Sequence, residues 1–183
     1  MKHMILFVVG MVSIQSGANA QTTAETIERA LAAAPRRARE GATVIKWNAD
    51  YTYETLKEGT NRMLCYDRSD ERGRRPFAVL CTSVANIDRL TQNRQFRMES
   101  TDRDEERAMV NAAEENGTRA VPEYGSVWIH MDGPDQASAR IHSTIAVPGA
   151  TTESTGLPDN RSAGGAYIMA AGTSAAHIMV PGR

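Results

Sequence analysis

The sequence has few aromatic residues and no excess of charge of either sign. Aromatic residues make up 5% of the chain, with three Phe, two Trp and five Tyr. A hydrophobic core must therefore consist mainly of Ile, Val, Leu, Met and Ala. The formal net charge is −1 over 183 residues, which gives the protein no general attraction to nucleic acid or to an anionic membrane surface. We expect neither as a partner.

Long apolar runs are also missing, apart from one short run at the start of the chain. After a basic residue, the stretch Met4–Val12 is apolar, and Ala18 and Ala20 are the small residues that a signal peptidase reads. The run is too short to span a bilayer. We predict a secretory signal peptide over residues 1–20, cleavage before Gln21, no membrane span, and a periplasmic or secreted bacterial protein.

Cysteine is nearly absent, since only Cys65 and Cys81 occur. In an exported protein, an even number of cysteines predicts a disulfide. A two-cysteine metal site and a redox pair are the alternatives. Redox pairs favour C-x-x-C spacing, and structural zinc would need two further ligands. The sequence therefore favours a structural disulfide between these two residues.

The alternation of apolar and polar residues predicts an α+β fold. An N-terminal helical segment over residues 21–41, capped by Thr22 or Thr23, precedes a single α+β domain over residues 42–183. A mainly antiparallel sheet is expected to pack against helices from the middle of the chain, at residues 85–98 and 102–115. The predicted strands cover residues 43–47, 51–56, 62–66, 77–82, 125–131, 139–147, 166–170 and 176–180.

Two polar segments interrupt these elements. The segment Asp67–Pro76 mixes charges of both signs and is predicted to be a solvated loop. The segment Pro148–Gly165 is rich in Gly, Pro, Asn, Ser and Thr, and its apolar residues have no regular spacing. Loops held by a rigid sheet often carry binding residues, so this second segment is the predicted binding loop.

The two ends of the predicted domain resemble a group of small exported bacterial proteins of unknown function. The matching residues are TGLPDN (155–160) and GGAYIMAAGTSAAHIMVPG (164–182), together with ATVIKW (42–47) and LKEGTNRMLCYD (56–67). In that group a GLP segment leads to a GG.Y.M..GT..AHIMVP ending. The resemblance implies export, a disulfide between Cys65 and Cys81, and a compact β-rich domain. It implies no catalytic residue.

Three histidines lie in predicted strands and could form a metal site. His130, His142 and His177 could converge on zinc if their strands are neighbours in the sheet. Nearby methionines would add the soft ligands that copper prefers. The spacing matches no H-x-H or H-E-x-x-H motif, so a core or exposed role for each histidine is the simpler interpretation.

Other candidate catalytic groups have a simpler structural explanation. Asp132, Asp135 and Asp159 lie in loops or next to turns, where Asp commonly binds its own backbone. Ser174 lacks the G-x-S-x-G spacing of a nucleophile elbow. Asp159 and His177 lie in the segments that carry the resemblance, and we expect them to contact a ligand.

The sequence thus favours an exported, non-catalytic protein that binds a small molecule or an envelope protein. No cofactor is favoured, and no catalytic residue is assigned. The alternative is a protein that binds copper or zinc through His130, His142 and His177, with hydrolysis as an activity that such a site could support.

Overall fold

Eight strands form one sheet in the computed structural model, which describes residues 22–180. The strands are β1 (Thr43–Trp47), β2 (Tyr53–Lys57), β3 (Met63–Asp67), β4 (Phe77–Ser83), β5 (Val127–Gly133), β6 (Arg140–Ala146), β7 (Tyr167–Met169) and β8 (His177–Met179). The helices are α1 (Thr23–Ala30), α2 (Arg36–Arg39), α3 (Ile87–Glu99), α4 (Arg103–Glu115) and α5 (Thr152–Thr155). The predicted signal peptide and its cleavage site before Gln21 lie outside the described residues.

The strand order is β2-β1-β3-β4-β5-β6-β8-β7. Every pair of neighbours is antiparallel except β1 and β3, which run parallel. Short connections join some of these antiparallel pairs, such as β1 with β2 and β5 with β6, whereas α3 and α4 lie in the chain between β4 and β5. The α+β class predicted from the sequence is confirmed by this mixture of helices and a mainly antiparallel sheet.

The predicted disulfide between Cys65 and Cys81 is present. The two residues are directly opposite each other on β3 and β4, and both are fully buried. The bond therefore joins the two strands that flank the charged loop.

The central strand β4 is buried on both faces because helices cover both sides of the sheet. Phe77, Val79 and Cys81 pack on one side against α1 and the turn that follows it. On the other side, Leu80 joins a cluster with Leu90 of α3. Alternate residues of a strand point to opposite faces, so even-numbered residues of β4 and β5 face α3.

The helix α1 packs directly on the sheet. Its N-terminus has a capping box, in which Thr22 accepts from the backbone of Glu25 and Glu25 accepts from the backbone of Thr22. Arg29 pairs with Asp67 and lies over the ring of Phe77 at 4.5 Å. Among residues 22–180, no helix is both long enough and apolar enough to cross a membrane.

The prediction that the charged segment after β3 is simply solvated was wrong for two of its residues. Arg68 and Glu71 are each only 5% exposed. Arg94 of α3 makes a bidentate ion pair with Asp70, at 3.1 and 2.5 Å, which holds the segment against the helix. The sequence indicated the loop, but the arginines that fold it over the sheet come from a helix that follows it in the chain.

The polar segment Pro148–Gly165 contains more structure than its composition indicated. It includes α5 and a 3₁₀ turn over Arg161–Ala163. Ala150 belongs to a small core with Val147, Ile168 and Ala176, and Leu157 packs against it. The segment therefore covers the end of the sheet that contains β7 and β8.

Candidate functional site

A cavity of about 400 Å³ lies between the α3-facing side of the sheet and a wall made by α3, α4 and the β3–β4 loop. The sheet contributes His130 and Trp128 from β5, His142 and Thr144 from β6, and His177 from β8. This volume is within the range of small-molecule sites.

The structure brings the three predicted histidines to one face of the sheet and into this one cavity. His130 and His142 are directly paired across β5 and β6, with ring centroids 6.3 Å apart. His177 is opposite Ala146 on the next strand pair, and it also lines the cavity. Strand register alone therefore explains why these three residues share a face.

Hydrogen bonds assign the ring protons of two histidines. The guanidinium Nη1 of Arg68 lies 2.8 Å from Nδ1 of His130. Because Arg can only donate, His130 accepts at Nδ1 and carries its proton on Nε2. His177 has the opposite arrangement, since its Nδ1 donates to the carbonyl oxygen of Ala175 at 2.7 Å.

Burial keeps His130 neutral. Burial, with a smaller contribution from the nearby His142 and His177, lowers the pKa of His130 to about 4. The ring is therefore a hydrogen-bond acceptor for Arg68 at neutral pH, as the tautomer requires.

The histidines are not arranged as a metal site in this structure. Among residues 22–180, no group of three or more His, Cys, Asp or Glu side chains is placed to hold a metal ion. Copper or zinc binding through His130, His142 and His177 thus stays a prediction from the sequence.

The helical wall of the cavity is rich in arginine. Arg89, Asn93 and Arg97 of α3 line it at a spacing of four residues, which places them on one face of the helix. The loop adds Arg68 and Arg74, and the segment after α4 adds Arg119. Glu71 and Glu106 are the two carboxylates in the lining, so five arginines face two glutamates.

Arg119 is buried without an acidic partner. Its side chain donates to Oε1 of Gln92 at 2.5 Å and to Oδ1 of Asn93. Its Nε has no hydrogen-bond partner within residues 22–180, and the residue is 7% exposed. Among the ion pairs of residues 22–180, none involves Arg119.

The surroundings of Arg119 are electrostatically unfavourable for a cation. Burial, together with the positive charge of Arg89, lowers the pKa of Arg119 to about 10, although the carboxylate of Glu114 acts in the opposite direction. A pKa near 10 still leaves the guanidinium charged at neutral pH. A buried charge normally has a paired counter-charge, but among residues 22–180 no carboxylate lies within ion-pair distance of Arg119.

Arg89 lies beside Arg119 and is also buried. Its Nη1 donates to the carbonyl oxygen of Ala120 at 2.8 Å and to Oγ of Ser174 at 2.7 Å. The carboxylate of Glu114 lies 3.9 Å away and also accepts from Ser174. The single carboxylate near these two arginines is therefore shared with a hydroxyl group.

Glu71 lies where the loop arginines and α3 meet. Its carboxylate is within 3.2 Å of both Arg74 and Arg97 and 3.4 Å from Arg68. Burial raises the pKa of Glu71 to about 7, although Arg97 and Arg94 act in the opposite direction. The charge of this one side chain therefore changes in the neutral pH range.

The three aspartates singled out from the sequence do not line the cavity. Asp132 extends β5 beyond His130, and burial raises its pKa. Asp135 accepts from the backbone and hydroxyl of Ser138, both at 2.8 Å, as expected of an aspartate in a turn. Asp159 is exposed in the segment before β7. Of the two expected ligand contacts, only His177 is at the cavity.

Sequence reasoning missed the arginines, which are the main feature of the site. A signal was present, because Arg89, Asn93 and Arg97 repeat every four residues in a predicted helix. Charged residues on a helix usually face solvent, so this spacing by itself was not read as a buried polar surface. The predicted binding loop Pro148–Gly165 contributes no residue to the cavity lining.

No protein-family model, curated protein or solved structure matches the chain. The resemblance to small exported bacterial proteins therefore stays a prediction from the sequence.

Proposed function

We propose that the protein is an exported binding protein whose cavity holds a small molecule through an oxyanion group, a phosphate or a carboxylate. The observation that carries this proposal is Arg119, a buried guanidinium with neutral partners and an unsatisfied Nε. Guanidinium groups bind carboxylate and phosphate through parallel hydrogen bonds.

Two further features support an anionic ligand. Arg68 also lines the cavity and is 5% exposed, and its Nε has no partner in the described part of the chain, residues 22–180. His130 accepts from Arg68 instead of competing for the ligand. The lining thus has more buried donors than its own carboxylates can satisfy.

Export is part of this proposal and depends on the pattern of residues 1–20. The disulfide between Cys65 and Cys81 agrees with folding in an oxidising compartment. The mass of protein recovered from the periplasm of an expressing bacterium tests this part. Cleavage between Ala20 and Gln21 is expected, and a mass that still includes residues 1–20 would contradict it.

The binding proposal is tested by calorimetric titration of the wild-type protein with inorganic phosphate and with acetate. We expect at least one of these anions to bind, and Arg119→Gln to weaken its binding about tenfold or more, since a charge-assisted contact is lost. Arg37→Gln is the matched control, because it removes the same charge from exposed α2.

Two outcomes would overturn the binding proposal. One is the absence of binding by either anion at millimolar concentration. The other is an equal affinity in the wild type and in Arg119→Gln. Binding of zinc or copper that is lost in His177→Ala, without any anion binding, would instead favour the metal site predicted from the sequence.

A further inference from the structure

A second basic cavity adjoins the first. It has a volume of about 390 Å³ and lies between the β3–β4 loop and the first turns of α4. Its lining contains five arginines and a single carboxylate, that of Glu106. The arginines are Arg72, Arg74, Arg97, Arg103 and Arg107.

The two cavities share a wall. Arg74, Arg97, Glu106 and Val110 line both of them. Within this wall, Arg97 pairs with Glu106 at 2.7 Å and with Glu71 at 3.2 Å. The carboxylates of the region are therefore concentrated in the boundary, and unmatched positive charge remains on both sides of it.

The inner part of the second cavity is rigidly held. The Nη2 of Arg72 donates to Oγ of Ser100 at 2.7 Å, to the carbonyl oxygen of Asp102 at 3.0 Å and to Glu106 at 3.2 Å. Its Nε donates to the carbonyl oxygen of Arg97 at 3.1 Å. A guanidinium fixed in this way is already ordered before a ligand arrives, which reduces the entropic cost of binding.

The outer part has little acidic compensation. Arg103 and Arg107 are four residues apart on α4 and exposed, an arrangement in which like charges repel each other. Arg107 pairs with Asp104 at 3.1 Å. For Arg103, no carboxylate among residues 22–180 lies within ion-pair distance.

We propose that the natural ligand is a small oligoanion with two separated oxyanion groups, one bound by Arg119 and Arg89 in the first cavity and the other by Arg72, Arg103 and Arg107 in the second. This inference rests on the proposed function, because it assigns the first oxyanion to the same cavity. The combined volume of the two cavities remains within the range of small-molecule sites.

A ligand that reaches both cavities binds more tightly than one that fills only the first. Once one group is bound, the second binds at a high effective concentration. Inorganic phosphate and inorganic tripolyphosphate are suitable probes, since the first carries one phosphoryl group and the second carries several in a chain. We expect tripolyphosphate to bind the wild-type protein about a hundredfold more tightly than phosphate.

The second cavity is tested with the double variant Arg103→Gln, Arg107→Gln. Both side chains are exposed, so the substitutions should leave the unfolding midpoint in urea unchanged. We expect the variant to lose most of the advantage of tripolyphosphate and to bind phosphate within about twofold of the wild type. The control is Arg36→Gln, Arg37→Gln, which removes the same charge from exposed α2 and should leave both affinities unchanged.

The outcomes separate this inference from the proposed function. If phosphate binds and Arg119→Gln abolishes its binding, but tripolyphosphate binds no more tightly, the two-cavity ligand is wrong and the anion site stands. An equal loss of phosphate and tripolyphosphate affinity in Arg103→Gln, Arg107→Gln would likewise overturn the second cavity. If neither probe binds the wild-type protein, both proposals fail.

Discussion

Arg119 shows at the level of one residue how binding and stability can oppose each other. Its guanidinium is buried beside Arg89 and has no acidic partner among residues 22–180. Removing a buried, uncompensated charge lowers the cost of desolvation in the folded state. We expect Arg119→Gln to keep the stability of the ligand-free protein or to raise it by up to about 1 kcal/mol, as measured by urea unfolding.

Bound phosphate should make the wild type more stable than Arg119→Gln. Binding to the folded state alone stabilises a protein by mass action. Phosphate at a fixed concentration should therefore raise the unfolding midpoint of the wild type by more than that of Arg119→Gln. A large loss of stability in the ligand-free variant would show that Arg119 is a structural residue.

Glu71 should make anion binding depend on pH. Burial raises the pKa of Glu71 to about 7, so its carboxylate becomes neutral as the pH falls from 8 to 6. One negative charge then leaves the cavity wall, and the affinity for an anion should increase about fivefold. Sulfate is the appropriate probe, because its own charge does not change between pH 6 and pH 8.

Other ionisable side chains also line this cavity, so the effect of Glu71 on binding must be isolated. In Glu71→Gln the side chain is neutral at every pH and still presents an acceptor oxygen to Arg74 and Arg97. We expect this variant to bind sulfate more tightly than the wild type at pH 8 and equally at pH 6. An unchanged pH profile in the variant would assign the dependence to other groups.

Protonation of His130 should make the free energy of unfolding depend on pH. Its folded-state pKa of about 4 is lower than its ordinary value of 6.5, so the unfolded state binds a proton more readily. Stability from this residue is therefore complete above pH 6.5 and is lost as the pH falls toward 4, by about 3 kcal/mol in total. Urea unfolding of the wild type and of His130→Gln between pH 7 and pH 4.5 measures this loss. Equal slopes in the two proteins would contradict the assignment.

At the level of secondary structure, the disulfide between β3 and β4 should be a major source of stability. It joins residues 16 apart in sequence, and cross-links over loops of this length stabilise by about 3 kcal/mol in the chain-entropy model. We expect the double variant Cys65→Ala, Cys81→Ala to lose about that free energy of unfolding. Wild-type protein measured with and without a reducing agent is the control, and an equal midpoint in all three samples would contradict the prediction.

Strand positions could be predicted from the sequence because each strand carries its own local signal. The segment Thr43–Trp47 alternates between the two faces, and its predicted limits match those of β1. The helix predicted over residues 102–115 begins with Asp102, which accepts from the backbone of Asp104 and Glu105 as an N-cap. These patterns depend only on residues that are close in sequence, so strands and helix ends can be predicted without knowing the tertiary fold.

The cavity could not be predicted in the same way, because its charge results from long-range packing. Arg68 is buried by the approach of α3 to the loop, and Arg119 is held by Gln92 and Asn93, some 26 residues earlier. The sequence indicated His177 through its strand, but nothing local distinguishes Arg119 from a solvated arginine. Burial of a charge depends on contacts between distant segments, which a pattern of spacing does not record.

For the whole molecule, a net charge of −1 conceals a strongly uneven distribution of charge. The first cavity has five arginines and two glutamates in its lining, and the second has five arginines and one glutamate. The near-neutral total argues against general attraction to polyanions, and the local excess of arginine argues for attraction at one place. Both statements hold because the electrostatic potential at a cavity depends on the charges near it and not on the net charge of the chain.

Salt should separate the contributions of the two cavities. Exposed charges are screened within about 10 Å at 0.1 M ionic strength and within about 3 Å at 1 M, and buried charges are screened much less. Arg103 and Arg107 are exposed, whereas Arg89 and Arg119 are buried. Raising the salt concentration should therefore weaken tripolyphosphate binding more than phosphate binding, and reduce the ratio of their affinities by roughly tenfold.

Titrations of both probes at low and high NaCl measure that ratio. Chloride competes with both probes in the first cavity, so its effect cancels in the ratio of their affinities. In Arg103→Gln, Arg107→Gln the ratio should already be small and should change little with salt. A ratio that is independent of salt in the wild type would mean that the exposed arginines do not contact the longer anion.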